Sequence, residues 1–217
     1  VGLWQLMYMT LSIVLASVLL ALIIGLPTGI LLSASDRAMC VARPILDTMQ
    51  TMPVFVYLIP ALLLFGLGSA SAVIATVIYA VVPVIRLTSL GIRQVDESVV
   101  EASRSFGSTR MQTLTKVQIP RAMPAIAAGV NQTLMRAMSR VGTCSRIGAR
   151  GLGNEVLIAV NRTEIGRGLV SGFSVVILAV LLDRMTQGWF SDEKRLARQD
   201  RRLRVKIKKE AGGDSNG

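Results

Sequence analysis

From Leu11 to Leu32 the chain reads LSIVLASVLLALIIGLPTGILL, twenty-two residues without a charge. As a helix rising about 1.5 Å per residue it would be about 33 Å long, enough for a hydrocarbon core of about 30 Å. It is apolar on all sides, which together with that length favours a membrane helix over the alternative, a buried core helix of a soluble protein. Val1 to Thr10 is also uncharged, so the predicted span extends back to about residue 5. The stretch is too long in its apolar part, and lacks the basic start, for a signal peptide. The chain begins at Val1 rather than Met, which reads as a fragment or a processed form.

Working outward, four further spans are expected. Segments 53–68 and 70–85 flank Gly66, Gly68 and Ser69 and read as a tight pair, with Pro60 and Pro83 inside them. Such breaks are tolerated in lipid where neighbours satisfy the freed carbonyl. Segment 165–182 is an apolar run closed by Asp183 and Arg184. Segment 122–144 is the polar member. Its first half is AMPAIAAGVNQTLM, but Arg136 and Arg140 follow, with Arg146 beyond. Each arginine would cost about 2.5–3.5 kcal/mol at the centre of a membrane helix. The expected class is therefore an all-α integral membrane protein of five helices, residues 1–188, followed by a basic, disordered tail, 189–217. The pairs Gly25-xxx-Gly29 and Gly168-xxx-Gly172 would permit close helix approach, and Pro27 suggests a kink.

Composition agrees with the hydropathy pattern. Hydrophobic residues make up 52% of the 217 and charged residues only 17%, against about 25% charged in soluble domains. Mean hydropathy is +0.55. The absence of histidine excludes Ser-His-Asp, Cys-His and His-ligated metal chemistry within this chain. Cys40 and Cys144 are the only cysteines, too few for a disulfide framework or a four-cysteine zinc site. There is no GxxxxGK[ST] loop, and GARGLGNEV around Gly148 lacks the last glycine of a dinucleotide fingerprint. No catalytic residue is therefore expected.

The formal charge is nonetheless +11. Lys194 to Lys209 holds nine basic residues and one acid, and Arg86 to Arg121 six against three. Positive segments near the membrane stay cytoplasmic, which predicts an N-terminus outside, a C-terminus inside and a cytoplasmic loop from Ser33 to Met52. Loop Ser145–Gly168, with four arginines, would then lie outside, against the same rule. The tail KRLARQDRRLRVKIKK would be held by anionic lipid headgroups. With 5% aromatics, stacking on nucleic acid is the poorer reading, and no nucleic-acid partner is expected. Trp4 and Trp189 read as interfacial aromatics.

Segment 86–121 is too long for a simple connector. Val99, Val100, Ala102, Ser103 and Phe106 fall at helical spacing behind an acidic start, Asp96-Glu97-Ser98, and Gly107 ends that helix as a C-cap glycine does. Met111, Leu114, Thr115 and Gln118 would share one face of a second short helix, halted by Pro120. Two amphipathic helices around a glycine read as a docking element, or as an interfacial pair with no partner.

Within that element Glu101-Ala102-Ser103, three residues, Gly107, nine residues, then Val117-Gln118-Ile119-Pro120 resembles the cytoplasmic loop signature of bacterial ATP-binding-cassette importer permeases. The signature reads Glu-Ala-Ala, three residues, Gly, nine residues, Ile-any-Leu-Pro. Ser103, Val117 and Ile119 are mild departures from it. The stretches from Gly129, Gly148 and Leu182 resemble the subgroup importing glycine betaine and proline betaine, and the likeness runs from about Trp4 to Gln187. In that subgroup the stretch matching Arg136 to Arg146 is apolar; here it reads RAMSRVGTCSR.

The resemblance implies a multi-pass subunit of the bacterial inner membrane, importing a quaternary-amine osmolyte, with a five-helix type I importer core. A separate ATPase subunit, holding ATP and Mg, would dock on residues 101–120. Glu101 would be a polar contact or cap, and Gly107 the tight turn entering the ATPase cleft. An external substrate-binding protein and a second copy of the chain would complete the importer. Asn131, Gln132 and Thr133 would line the pathway or hydrogen-bond between helices. An importer permease for an amino acid or other small solute, and a non-transporting membrane scaffold, remain the alternatives.

Overall fold

The computed structural model describes residues 3–144 and 151–188. Among these residues every regular element is helical. Helix α1, Leu3–Ser33, realises the decisive stretch in one piece, with Pro27 inside it. Its outward side chains, such as Leu19 and Ile23, are more than half exposed, which suits hydrocarbon and not water.

The expected cytoplasmic loop from Ser33 to Met52 is instead a helix, α2, Asp36–Thr51. Ser35 caps it, accepting the Ala38 N–H at 3.4 Å. Met39 and Leu46 are buried, and Ala42 and Met49 pack against the cluster that holds Leu46. These four positions follow helical spacing, a signal that the flanking charges obscure. Asp36 and Asp47 pair with Arg93 and Arg86, clamping α2 to the end of α4 (Ser69–Arg93). Helix α3, Val54–Phe65, follows at an 87° bend beyond Met52 and Pro53.

The expected span 53–68 is corrected accordingly. Twelve helical residues reach about 18 Å, too short to cross alone, and only α2 and α3 together pass as one broken span. The chain then turns on Gly66 and Gly68, both at positive φ, and α3 packs on α4 through Leu58, Ala61, Ala72 and Ala75.

Helix α4 overruns its expected end at Ile85 by about two turns, so the connector begins after Arg93 and not at Arg86. It holds α5, Glu97–Ser105, and α6, Arg110–Thr113. Pro120 does not halt the second helix. The chain passes through a π-helical segment, Leu114–Gln118, directly into α7, Ile119–Cys144. The Ile119 N–H donates five residues back, to the Leu114 carbonyl, and this wider turn precedes a proline that has no N–H to give and whose ring crowds an ordinary turn.

Beyond Cys144, residues 145–150 lie outside the described residues, as do Arg146, Trp189 and the tail 189–217. The loop expected over Ser145–Gly168 is largely helical where it is described. Helix α8 runs Leu152–Asn161, and α9, Ile165–Gly188, follows a short turn. The Thr10 hydroxyl of α1 accepts the Leu152 N–H at 2.9 Å, fastening α8 to the start of the fold.

Helices α1, α4 and α9 are long and apolar enough to cross a membrane, and the bent α2–α3 pair makes a fourth candidate. Helix α7 is long enough but does not pass the same test, as its arginines anticipate. It packs along α4 all the same. A Cβ at Gly91 would lie 2.6 Å from the Ala125 Cβ, and one at Gly129 3.2 Å from the Leu87 Cβ. Gly25 and Gly29 do the same between α1 and α4, where a Cβ would meet Val84 at 2.9 Å and Thr88 at 2.8 Å. The second small-residue pair does not act this way within the chain, since a Cβ at Gly172 would meet nothing within 4 Å. Helix α4 is the centre of this packing, with 61% of its apolar window buried; α9 has 17% and is peripheral.

Candidate functional site

The connector between α4 and α7 is built by local chemistry. Asp96 caps α5, its carboxylate accepting the Ser98 N–H at 3.1 Å and the Ser98 hydroxyl at 2.9 Å. These bonds, the side-chain one foremost, hold the Asp96 carboxyl below the usual carboxylate range. Helix α5 ends in a Schellman turn. The Gly107 N–H donates to the Arg104 carbonyl and the Ser108 N–H to the Ser103 carbonyl, with Gly107 at φ +82°. A glycine is required there because an L side chain is strained at that φ.

Helix α6 starts with a capping box. The Thr109 hydroxyl accepts the Gln112 N–H at 3.3 Å, and the Gln112 carboxamide accepts the Thr109 N–H at 2.9 Å. Three hydroxyls close the turn from inside. Ser108 lies 2.6 Å from the Ser103 hydroxyl and 2.9 Å from the Thr113 hydroxyl. Thr113 is buried. The element stands off the ends of α1 and α4 across a cleft of about 630 Å³ that includes Arg93, Arg104 and Arg110.

The signature residues gather on this element but have different surroundings. Glu101 and Ala102 are exposed, as are Gly107 and Pro120. Ser103, Val117 and Ile119 are half-buried, Ser103 on the hydroxyl cluster and Ile119 against the core of Ile92, Ala122 and Ile126. Neither predicted face holds throughout. Ala102 and Phe106 turn outward on α5, and Met111 and Thr115 turn outward on the second helix. A capping box and a π segment displace the register that an uninterrupted helix would keep. The outcome is an apolar tip at the turn, with Phe106 92% and Met111 68% exposed.

Three features were not anticipated from sequence. The Thr109-x-x-Gln112 spacing carries the capping-box signal, and Ser103, Ser108 and Thr113 announce no cluster until the turn brings them together. The third feature lies on α7, where the Arg140 guanidinium sits 3.7 Å and that of Arg136 5.5 Å from the centroid of the Tyr79 ring.

The pathway residues separate. Thr133 is buried and donates its hydroxyl to the Ala80 carbonyl at 2.9 Å, joining α7 to α4. The Asn131 carboxamide oxygen is buried with no hydrogen-bond partner, while Gln132 is exposed. Among the described residues no group of His, Cys, Asp or Glu could hold a metal ion.

Comparison with known proteins gives the family and the fold. Residues 17–188 match the sequence profile of the binding-protein-dependent transport system inner membrane component family. The chain is 50% identical over 194 residues to the glycine betaine/proline betaine transport system permease protein ProW of Escherichia coli K12, covering 89% of this chain and 55% of that protein. It is 50% identical to the glycine betaine/carnitine transport permease protein GbuB of Listeria monocytogenes, over 86% of this chain and 66% of that protein. It is 47% identical, with the same coverage, to the glycine betaine transport system permease protein OpuAB of Bacillus subtilis. The chain thus spans between 55% and 66% of these relatives' lengths. In fold it is similar to a chain of the MetNI methionine ABC transporter in an inward facing conformation. The TM-score is 0.75, at 23% identity, over 89% of this chain and 95% of that one.

Proposed function

The chain belongs to the family of inner membrane components of binding-protein-dependent transport systems, and from that premise we propose that it is the membrane-spanning subunit of an ATP-driven importer for glycine betaine or a similar quaternary-amine osmolyte. One observation carries the substrate class. ProW, GbuB and OpuAB, each about half identical to this chain, all bear glycine betaine in their names.

The subunit has no ATPase site of its own. A separate ATPase, holding ATP and Mg, docks on residues 101–120. Gly107 and the exposed Phe106 enter a cleft of that subunit, and Glu101 contributes a polar contact. Closure of two ATPases moves α5 and α6, and the unbroken passage from α6 through the π segment into α7 carries that displacement into the membrane. Access then alternates by rigid-body change, biased by nucleotide and by a loaded external binding protein. The full assembly contains two copies of the chain, each with five crossings over residues 1–188, N-terminus outside and C-terminus inside. Its basic tail, 189–217, rests on anionic headgroups.

Reconstitution tests the reading. The chain, its ATPase and its binding protein in proteoliposomes should take up radiolabelled glycine betaine only with ATP inside and binding protein outside. Uptake of an amino acid but not of glycine betaine would replace the substrate class. Absence of any ATP-dependent uptake would favour the scaffold.

A further inference from the structure

Arg136 and Arg140 are four residues apart on one face of α7, a turn beyond the exposed Gln132, and both are half-exposed. One tyrosine ring, Tyr79 of α4, holds both guanidiniums, and Tyr57 of α3 stacks on that ring with centroids 6.4 Å apart. Two like charges are thereby brought to one ring. Among the described residues no carboxylate lies within ion-pair distance of either, the ion pairs being those of Arg86, Arg93 and Arg167. Stacking on an aromatic face offsets part of the cost of burying a guanidinium, but it does not neutralise a pair.

Position sharpens the point. At about 1.5 Å per residue, Arg136 is about 26 Å and Arg140 about 32 Å from the start of α7 at Ile119. With the coupling element in the cytoplasm, both lie in the outer half of the membrane, the half a solute enters from an external binding protein. So close to the outer edge of a core of about 30 Å, their long side chains can carry the guanidiniums out to external water, within reach of a solute on that side. A guanidinium fork matches a carboxylate in shape and charge.

We propose that Arg136 and Arg140, held by Tyr79, form an anion site in the outer half of the transport pathway that receives the carboxylate of a zwitterionic solute. The assignment of that solute rests on the import reading above; the anion site itself rests on the geometry.

Phenylglyoxal modification of the complete importer in lipid nanodiscs, followed residue by residue by mass spectrometry, tests both parts. Arg136 and Arg140 should react. Sodium acetate and glycine betaine should slow them about threefold or more at about twice the dissociation constant, relative to sodium chloride at equal ionic strength. Tetramethylammonium chloride should not. In Arg140→Gln the protection of Arg136 by acetate should fall away. Arginines that the reagent never reaches, equal protection by tetramethylammonium, or no protection by acetate would each overturn the site. Protection by acetate but not by glycine betaine would overturn its assignment to the solute. Uptake of glycine betaine by the same importer in proteoliposomes is the separate arm. Its absence alongside intact acetate protection would count against the import reading and leave the anion site standing.

Discussion

At Gly91, between α4 and α7, a Cβ would come within 2.6 Å of the Ala125 Cβ, whereas at Gly107, on the turn between α5 and α6, it would meet nothing within 4 Å. The same residue type serves the core by leaving space out and the turn by permitting a backbone angle. In the core of α1, α4 and α7 the constraint is distance, and at Gly91 the neighbouring Cβ atoms and backbone have no rotamer with which to yield. At the turn the constraint is φ +82°, and the space around the residue is open in the isolated chain. The core is thus closed by its own contacts, and the turn leaves Gly107 open.

The largest effect should follow from closing the space in the core. Gly91→Leu overpacks a contact with no slack, and overpacking costs about 1–3 kcal/mol or more. The variant should lose monodisperse, folded protein in detergent and fall in Tm, and an unchanged Tm would erase the contrast with Gly107. Gly107→Arg should leave insertion and yield intact, since the cost of a left-handed L residue, about 1–2 kcal/mol, is confined to the turn. It should nonetheless abolish stimulation of the ATPase by the loaded binding protein. Normal coupled uptake by that variant would sink the docking role. Gly107→Asn, which tolerates the angle better, should retain more coupling than Gly107→Arg.

Smaller effects sharpen the picture of the turn. Ser108→Ala removes the hydroxyl shared with Ser103 and Thr113 and should weaken the turn by about 1 kcal/mol. Amide exchange should rise across residues 103–113 and stay unchanged in α4. If α4 responds equally, the turn is not an independent unit. The smallest effect is the pH response of the α5 cap. Because the Asp96 carboxyl titrates lower when folded than when unfolded, its contribution is complete above the ordinary carboxylate pKa. It is lost as pH falls through the folded value. Exchange at the α5 N-terminus should accelerate in that acid range in the wild type, and Asp96→Asn should flatten the profile.

The sequence exposes most where one force dominates. The uncharged run Leu11–Leu32 needs only hydrophobicity to become a helix long enough for a bilayer, and it lies within α1. Gly107 was legible as a cap for a similar reason, since a single φ requirement selects it. Where two forces compete, the reading slipped. In α2 the apolar spacing of Met39, Ala42, Leu46 and Met49 sits among charges, so a helix looked like a loop. At Pro120 the expectation of a stop was overridden by a π turn that admits the proline. Segment 122–144 shows the opposite balance. Its arginines count against a membrane helix, yet glycine and alanine contacts along α4 and a tyrosine ring from the same helix hold it in place. No sequence spacing predicts that Tyr79 reaches two arginines about sixty residues away, because the pairing is made by helix packing.

The contrast between a closed core and an open turn is tested most directly by placing a photo-crosslinking residue at either of two exposed phenylalanines in the assembled importer. At Phe106, on the tip of the turn between α5 and α6, it should yield a single adduct with the ATPase subunit, whose intensity changes between ATP-bound and nucleotide-free states. At Phe173, on the outward face of α9, it should yield none. An ATPase adduct from Phe173, or its absence from Phe106 in an assembly that hydrolyses ATP, would contradict the account.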